Sequence, residues 1–295
     1  MTMPARPIIV PLDGSANAEL AVPTGIRLGR ILSAPLRFVR VEGNLAPMQS
    51  EERSGTEAAF GAYAAGLMAV NHGADHSWTS AVVEGEPAPA IVEGARIARM
   101  IVMTTRGQGG LRGLFGGSVA EKVVRAAGVP VLIVPMEGTR SLLEGPILVA
   151  LDGSDLAEAS LPLARDIGAS TAQPLVLLQA WNPALPLGGE YAAGGASMIA
   201  EVSAAAEAYL STVRVPGEET VAVAGPAASA IREAADRLDA SMVVVSSHGK
   251  GMALRLALGS TTEILRKTLR RPLLVIPVAA AREQGRVEDA ATTSA

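Results

Sequence analysis

Apolar residues come in short runs of four to six, separated by longer stretches in which apolar positions recur every three or four residues. Ile8–Leu12, Leu36–Val41, Ser80–Glu84, Met100–Met103 and Val131–Val134 read as strands. Between them, Ser15–Leu32, Glu51–His72, Pro87–Arg96 and Ser118–Ala127 read as helices. This alternation predicts a parallel sheet with helices on both faces, joined by right-handed crossovers. Runs of branched residues without interruption fit strands covered on both sides.

The pattern is then written a second time. Residues 8–29 and 147–168 align at a constant offset of 139, with identities at Ile8/Ile147, Val10/Val149, Leu12/Leu151, Asp13/Asp152, Gly14/Gly153, Ser15/Ser154, Ala18/Ala157, Glu19/Glu158, Pro23/Pro162 and Gly29/Gly168. Later in each half the offset becomes 142, matching Gly107/Gly249, Gly117/Gly259, Ser118/Ser260, Glu121/Glu263, Pro130/Pro272 and Pro135/Pro277. A period this long excludes a solenoid and predicts two homologous domains, residues 1–138 and 139–281. The remaining tail, 282–295, has few apolar anchors and is expected to be disordered.

Composition narrows the chemistry. The 295 residues suffice for two cores, and with aromatics at 3% those cores must be built of Ala, Val, Leu and Ile. There is no cysteine, which excludes disulfides and thiolate metal sites. Of three histidines, His72 and His76 stand four apart, spacing that would put both on one helix face as a solvated pair. A net charge of −4 argues against general nucleic-acid binding. No apolar stretch is long enough for a membrane span, and the N-terminus has no signal-peptide pattern, so a cytoplasmic protein without membrane partners is expected.

If each sheet has strand order 3-2-1-4-5, its first and fourth strands are neighbours whose connections leave on opposite faces. The crevice at their carboxyl ends is where open α/β sheets take ligands. Asp13-Gly14-Ser15 and Thr104-Thr105-Arg106-Gly107 meet there, the latter opening a glycine-rich loop that enters a helix at Gly117-Ser118. Glycines allow close backbone approach, and a helix start offers unpaired N–H groups to an anion. A nucleotide fits this plan, with phosphates at Gly107–Ser118, ribose near Asp13 and base against the first two strands. Capping is the plainer role for Ser118-x-x-Glu121 and Ser260-x-x-Glu263, and Ser15 and Ser154 read as N-caps. A Walker-type P-loop and a G-x-G-x-x-G turn after the first strand are both absent. The first half has no histidine near Ser15 to make it a nucleophile.

The spacing Gly107-(nine residues)-Gly117-Ser118, repeated as Gly249-(nine residues)-Gly259-Ser260, resembles the ATP-binding branch of the universal stress protein superfamily. The chain looks like a tandem member. The resemblance implies two Rossmann-like, adenine nucleotide α-hydrolase-like domains, each a five-stranded parallel sheet with helices on both faces. It implies ATP, or AMP or ADP, as ligand. In the first half Pro11, Leu12, Asp13, Val41, Thr104, Gly107, Gly117, Ser118, Val119 and Ala120 would line the site. In the second, Ala150, Leu151, Asp152, Ala180, Ser246, His248, Gly249, Gly259, Ser260, Thr261 and Thr262 would do so. Asp13 and Asp152 could also hold a phosphate-bound Mg through water. Arg106 would add a phosphate contact if it points inward, and would otherwise face solvent. Thr104 and Ser246 stand where the family's motif has its first glycine. The resemblance also implies pairing through the fifth strands as an intramolecular pseudo-dimer, and a homodimer of tandem chains. The function implied is stress response or signalling, not fast catalysis. A dimeric interaction scaffold without nucleotide, and a slow ATPase, are the alternatives.

Overall fold

The computed structural model describes residues 5–43, 50–104, 119–136, 144–181, 192–247, 258–277 and 280. The expected disordered tail lies outside them. The chain divides into two compact units, 1–139 with 274–280 and 140–273 with 281–295.

In the first repeat the elements run β1 (Ile8–Pro11), α1 (Ala16–Glu19), α2 (Ala21–Ile31), β2 (Leu36–Glu42), α3 (Ser50–Val70), β3 (Trp78–Glu84), α4 (Pro87–Gly94), β4 (Met100–Thr104), α5 (Val119–Ala126) and β5 (Val131–Val134). The second repeats them as β6 (Ile147–Leu151), α6 (Asp155–Glu158), α7 (Leu161–Thr171), β7 (Leu175–Trp181), α8 (Ala192–Val213), β8 (Glu219–Ala224), α9 (Ala227–Arg237), β9 (Met242–Ser246), α10 (Ser260–Thr268) and β10 (Leu273–Ile276). Strand order is β3-β2-β1-β4-β5 in the first repeat and β8-β7-β6-β9-β10 in the second. The pairs β1–β2, β1–β4, β6–β7 and β6–β9 are all parallel. Among the described residues no helix is long and apolar enough to cross a membrane.

The central strands β1, β4, β6 and β9 are almost wholly buried, as their unbroken apolar runs require. Helix α2 turns Ala21, Val22, Gly25, Ile26, Leu28 and Gly29 inward, one stripe at helical spacing. Its approach to β1 is close enough that a Cβ on Gly25 would come within 2.9 Å of Val10 Cγ2.

The single helix expected over Ser15–Leu32 is two helices, broken at Leu20. Pro23 is the cause: its ring excludes a regular helical carbonyl four residues earlier, at Glu19, at a cost of about 3 kcal/mol if forced. Pro162 breaks the second repeat at the same place, between Glu158 and Leu161. The two histidines do not share a helix face. Helix α3 stops at Val70, His72 adopts φ +55, and the His76 Nε2 lies 2.9 Å from the Ala34 carbonyl oxygen. His76 is a half-buried structural contact, not part of a solvated pair.

One ion pair ties the second repeat together. Arg165 of α7 holds Glu218 in bidentate fashion, Nε to Oε1 at 2.7 Å and a terminal nitrogen to Oε2 at 3.0 Å, and Val215 N–H donates to Glu218 at 2.9 Å. The Glu218 side chain is only 6% exposed. Burial alone would favour its neutral form, but the Arg165 and Val215 donors override it and hold the carboxyl below its ordinary 4.5. A depressed acid stabilises the fold above its unfolded pKa and loses that contribution as pH falls. Glu218→Gln should therefore cost about 2 kcal/mol at neutral pH. The difference from wild type should shrink below about pH 4.5, as chemical denaturation across pH will show.

Candidate functional site

Each first strand ends in the same turn. Asp13 Oδ1 accepts from Ser15 N–H at 2.9 Å and from Ser15 Oγ at 2.6 Å, and Asp152 repeats this with Ser154 at 3.1 and 2.6 Å. The turn requires Gly14 and Gly153 at φ +81 and +75, a conformation that costs glycine nothing. Each serine then caps the next short helix, its Oγ accepting from Ala18 N–H or Ala157 N–H at 3.2 Å. The expected N-cap role of Ser15 and Ser154 is what the structure has, and such a cap is worth about 1 kcal/mol.

The strand pairing brings these turns beside the ends of β4 and β9. Ile8 and Ile9 pair with Met100 and Ile101, and Ile147–Val149 with Met242–Val244. Pro11, Leu12, Asp13 and Thr104 thus share one edge of the first sheet; Leu151, Asp152 and Ser246 share the matching edge of the second. Asp13 is exposed, Leu12 and Leu151 are buried, and Pro11, Val41, Ala150 and Ala180 are half-buried. Thr104 Oγ1 donates to the Asn17 carbonyl at 3.0 Å, fastening the end of β4 to α1.

In the second repeat the start of α10 is anchored to the same edge. The buried Thr262 hydroxyl donates to the Ser246 carbonyl at 3.0 Å, and Gly259 N–H donates to the Ser247 carbonyl at 2.9 Å. Gly259, Ser260, Thr261 and Thr262 therefore begin a helix next to Ser246, one strand away from Asp152. Gly259, not Ser260, is the N-cap, and no side chain caps this helix. The expected Ser260–Glu263 capping box is thus not formed, because Ser260 already sits inside the helix at its first position. In the first repeat Val119 is exposed and Ala120 buried at the start of α5. Arg106, Gly107, Gly117, Ser118, His248 and Gly249 lie outside the described residues.

Two residue pairs absent from the expected site stand against it. Tyr63 of α3 donates to Glu19 at 2.7 Å, and Tyr209 of α8 donates to Glu158 at 3.1 Å. Burial first, then the neighbouring glutamate and aspartate, pushes both phenols well above the usual tyrosine range. They are donors, not bases. The signal was present: Glu19 and Glu158 match between repeats, and Tyr63 and Tyr209 are two of the chain's three tyrosines. Their joint role appears only once helices far apart in sequence are packed together.

Asp13 in the first repeat and Asp152 in the second each offer a hard oxygen donor of the kind a magnesium ion takes. Among the described residues no group of three or more His, Asp or Glu gathers to hold a metal. An ion at either turn would have to share its coordination with ligand phosphates.

The universal stress protein family model matches residues 4–135 and again 145–277. The chain is 28% identical over 289 residues to a universal stress protein of Mycobacterium tuberculosis (strain ATCC 25618 / H37Rv), covering 91% of this chain and 96% of the relative. A universal stress protein from Archaeoglobus fulgidus DSM 4304 superposes with a TM-score of 0.68 at 19% identity, over 92% of this chain and 98% of its own. A functionally unknown protein from Pseudomonas aeruginosa PAO1 gives 0.70 at 18% identity, over 98% of each. At these identities the two structures speak for the fold alone.

The Thr262–Ser246 bond gives a test of how the helix start is held. Thr262→Val keeps the shape and leaves the buried Ser246 carbonyl without this donor, so it should lower stability by about 1–2 kcal/mol. Thermal unfolding of the purified variant measures it, and Thr262→Ser should restore most of the loss.

Proposed function

The chain belongs to the universal stress protein family, and from that premise we propose that it binds ATP, with AMP and ADP as lesser ligands, in one or both repeats. The observation that carries this reading is the anchoring of the α10 start beside Asp152 through Thr262 and Gly259. Unpaired N–H groups at such a start favour phosphate, and the neighbouring carboxylate suits a ribose hydroxyl or a phosphate-bound Mg. Gly259, Ser260, Thr261 and Thr262 take the phosphate role in the second repeat, with Leu151, Asp152 and Ala180 at the ribose and base. Leu12, Asp13, Val41, Val119 and Ala120 are their counterparts. Bound Mg supplies charge neutralisation of the phosphates.

The described side chains at this edge suit holding better than cleaving. The hydroxyls of Ser15, Thr104, Ser154 and Thr262 are engaged with backbone carbonyls or carboxylates, and burial with the neighbouring glutamates holds the two tyrosines in the protonated form. The role that follows is response or signalling through nucleotide occupancy. The second repeat is the better site, since Thr262 fastens the start of α10 to Ser246, while its counterpart Ala120 has no hydroxyl to do the same and Thr104 spends its own on Asn17.

Equilibrium binding of labelled ATP with Mg checks the reading. At least one ATP should bind per chain, and Asp152→Ala should weaken binding about tenfold by removing both the carboxylate and the turn it organises. A folded protein that binds no adenine nucleotide at millimolar concentration would replace this reading with an interaction scaffold.

A further inference from the structure

Among the described residues, two polar atoms at the end of β7 have no hydrogen-bond partner. Gln179 Oε1 and Trp181 Nε1 are both shielded from solvent and both lack a hydrogen-bond partner. They stand two residues apart on one strand, hence on one face of the sheet. Leu175, on the same face, packs under α7, where a Cβ on Gly168 would collide with Leu175 Cδ1. Gln179 and Trp181 therefore face the α7–α8 side, where α8 packs on β7 and carries Tyr209. The register sets Gln179 directly beside Leu151, one residue before Asp152.

The first repeat treats the same positions differently. There, 139 residues earlier, stand Arg40 and Glu42. They satisfy each other, Nε to Oε1 at 2.6 Å. The second repeat has exchanged an ion pair for a neutral acceptor and a neutral donor, and left both open. Burying one such group without a partner already opposes folding, and two side by side beside a candidate site are not explained by packing.

We infer that Gln179 and Trp181 read the base of the nucleotide in the second repeat, and that the first repeat lacks this readout. The inference rests on the nucleotide reading above. An amide oxygen accepts and an indole N–H donates. Their ligand must present a donor beside an acceptor, which is the amino group of adenine next to a ring nitrogen. A 6-oxo purine presents an acceptor in place of that amino group and leaves Gln179 Oε1 opposed to another oxygen. The second repeat should therefore select 6-aminopurine nucleotides over 6-oxo ones, while the first repeat, with Arg40 and Glu42 already paired, should not discriminate in this way.

Full-length protein carrying Trp78→Phe keeps Trp181 as its sole tryptophan, a reporter in the second repeat. Titration with ATP should change its emission saturably, and inosine triphosphate should bind that site at least about tenfold more weakly. Gln179→Met in the same background should lose about tenfold in ATP affinity and abolish the preference. It should also raise the melting temperature of the ligand-free protein, because it removes an orphaned buried acceptor. A glutamine held there only for structure would do the reverse. ATP affinity unchanged in Gln179→Met, as when water fills the gap, overturns this inference and leaves nucleotide binding standing. Calorimetry that detects no adenine nucleotide on the folded wild type overturns both.

Discussion

A single carboxylate organises the edge of each sheet. Asp13 and Asp152 each take both the N–H and the hydroxyl of the serine two residues on. The bond closes the turn around a glycine of positive φ and presents the serine to the next helix as its cap. That helix cannot continue through the following proline, so it stays one turn long and ends with Glu19 or Glu158 held by a tyrosine of the long helix. Strand end, turn, short helix and long helix are thus linked in one chain of contacts that starts from the aspartate. With right-handed crossovers, this strand order sends the helices after the first and fourth strands to opposite faces, the arrangement in which open α/β sheets take ligands.

On this shared frame the repeats diverge where a ligand would be read. In the first, Thr104 bonds Asn17 and Arg40 bonds Glu42, so the local polar groups satisfy one another. The Arg40–Glu42 pair is partly exposed and contributes at most about 1 kcal/mol. In the second, Ser246 and Ser247 offer carbonyls to the start of α10, and among the described residues Gln179 Oε1 and Trp181 Nε1 have no hydrogen-bond partner. Duplication supplied two copies of the turn. The copies now differ there, one closing an ion pair and the other leaving a neutral acceptor and a neutral donor open.

Much of the frame was legible along the chain. The strands announce themselves as branched apolar runs, and the repeated Asp-Gly-Ser marks where the first strand of each half ends. What escaped reading depends on contacts between distant segments. The break at Leu20 was within reach, since Pro23 forbids a continuous helix, but the location of the break follows from the carbonyl four residues earlier. His72 and His76 share helical spacing, yet the helix ends before them, and His76 finds its partner at Ala34 across the fold. Ser260 has the spacing of a cap, but Gly259 takes that position because its N–H is drawn to Ser247. The Tyr63–Glu19 and Tyr209–Glu158 bonds join helices some forty to fifty residues apart, a distance at which no local pattern operates.

The energetics of the second repeat follow from a trade between stability and recognition. A protein selected for its fold alone would fill the end of β7 with apolar side chains or with a closed pair, and the first repeat has the latter. Each orphaned polar atom opposes folding by about 1–3 kcal/mol, and the same atom repays that energy when a complementary ligand arrives. The ligand must then bind the ordered state more tightly than it binds a fold whose polar groups are already matched. Where the partnerless groups lie, binding energy is stored; where groups pair internally, it has already gone into the fold. On the reading proposed for the second repeat, the two halves of this chain would divide the work, the first by stabilising a copy of the frame and the second by keeping its recognition groups open.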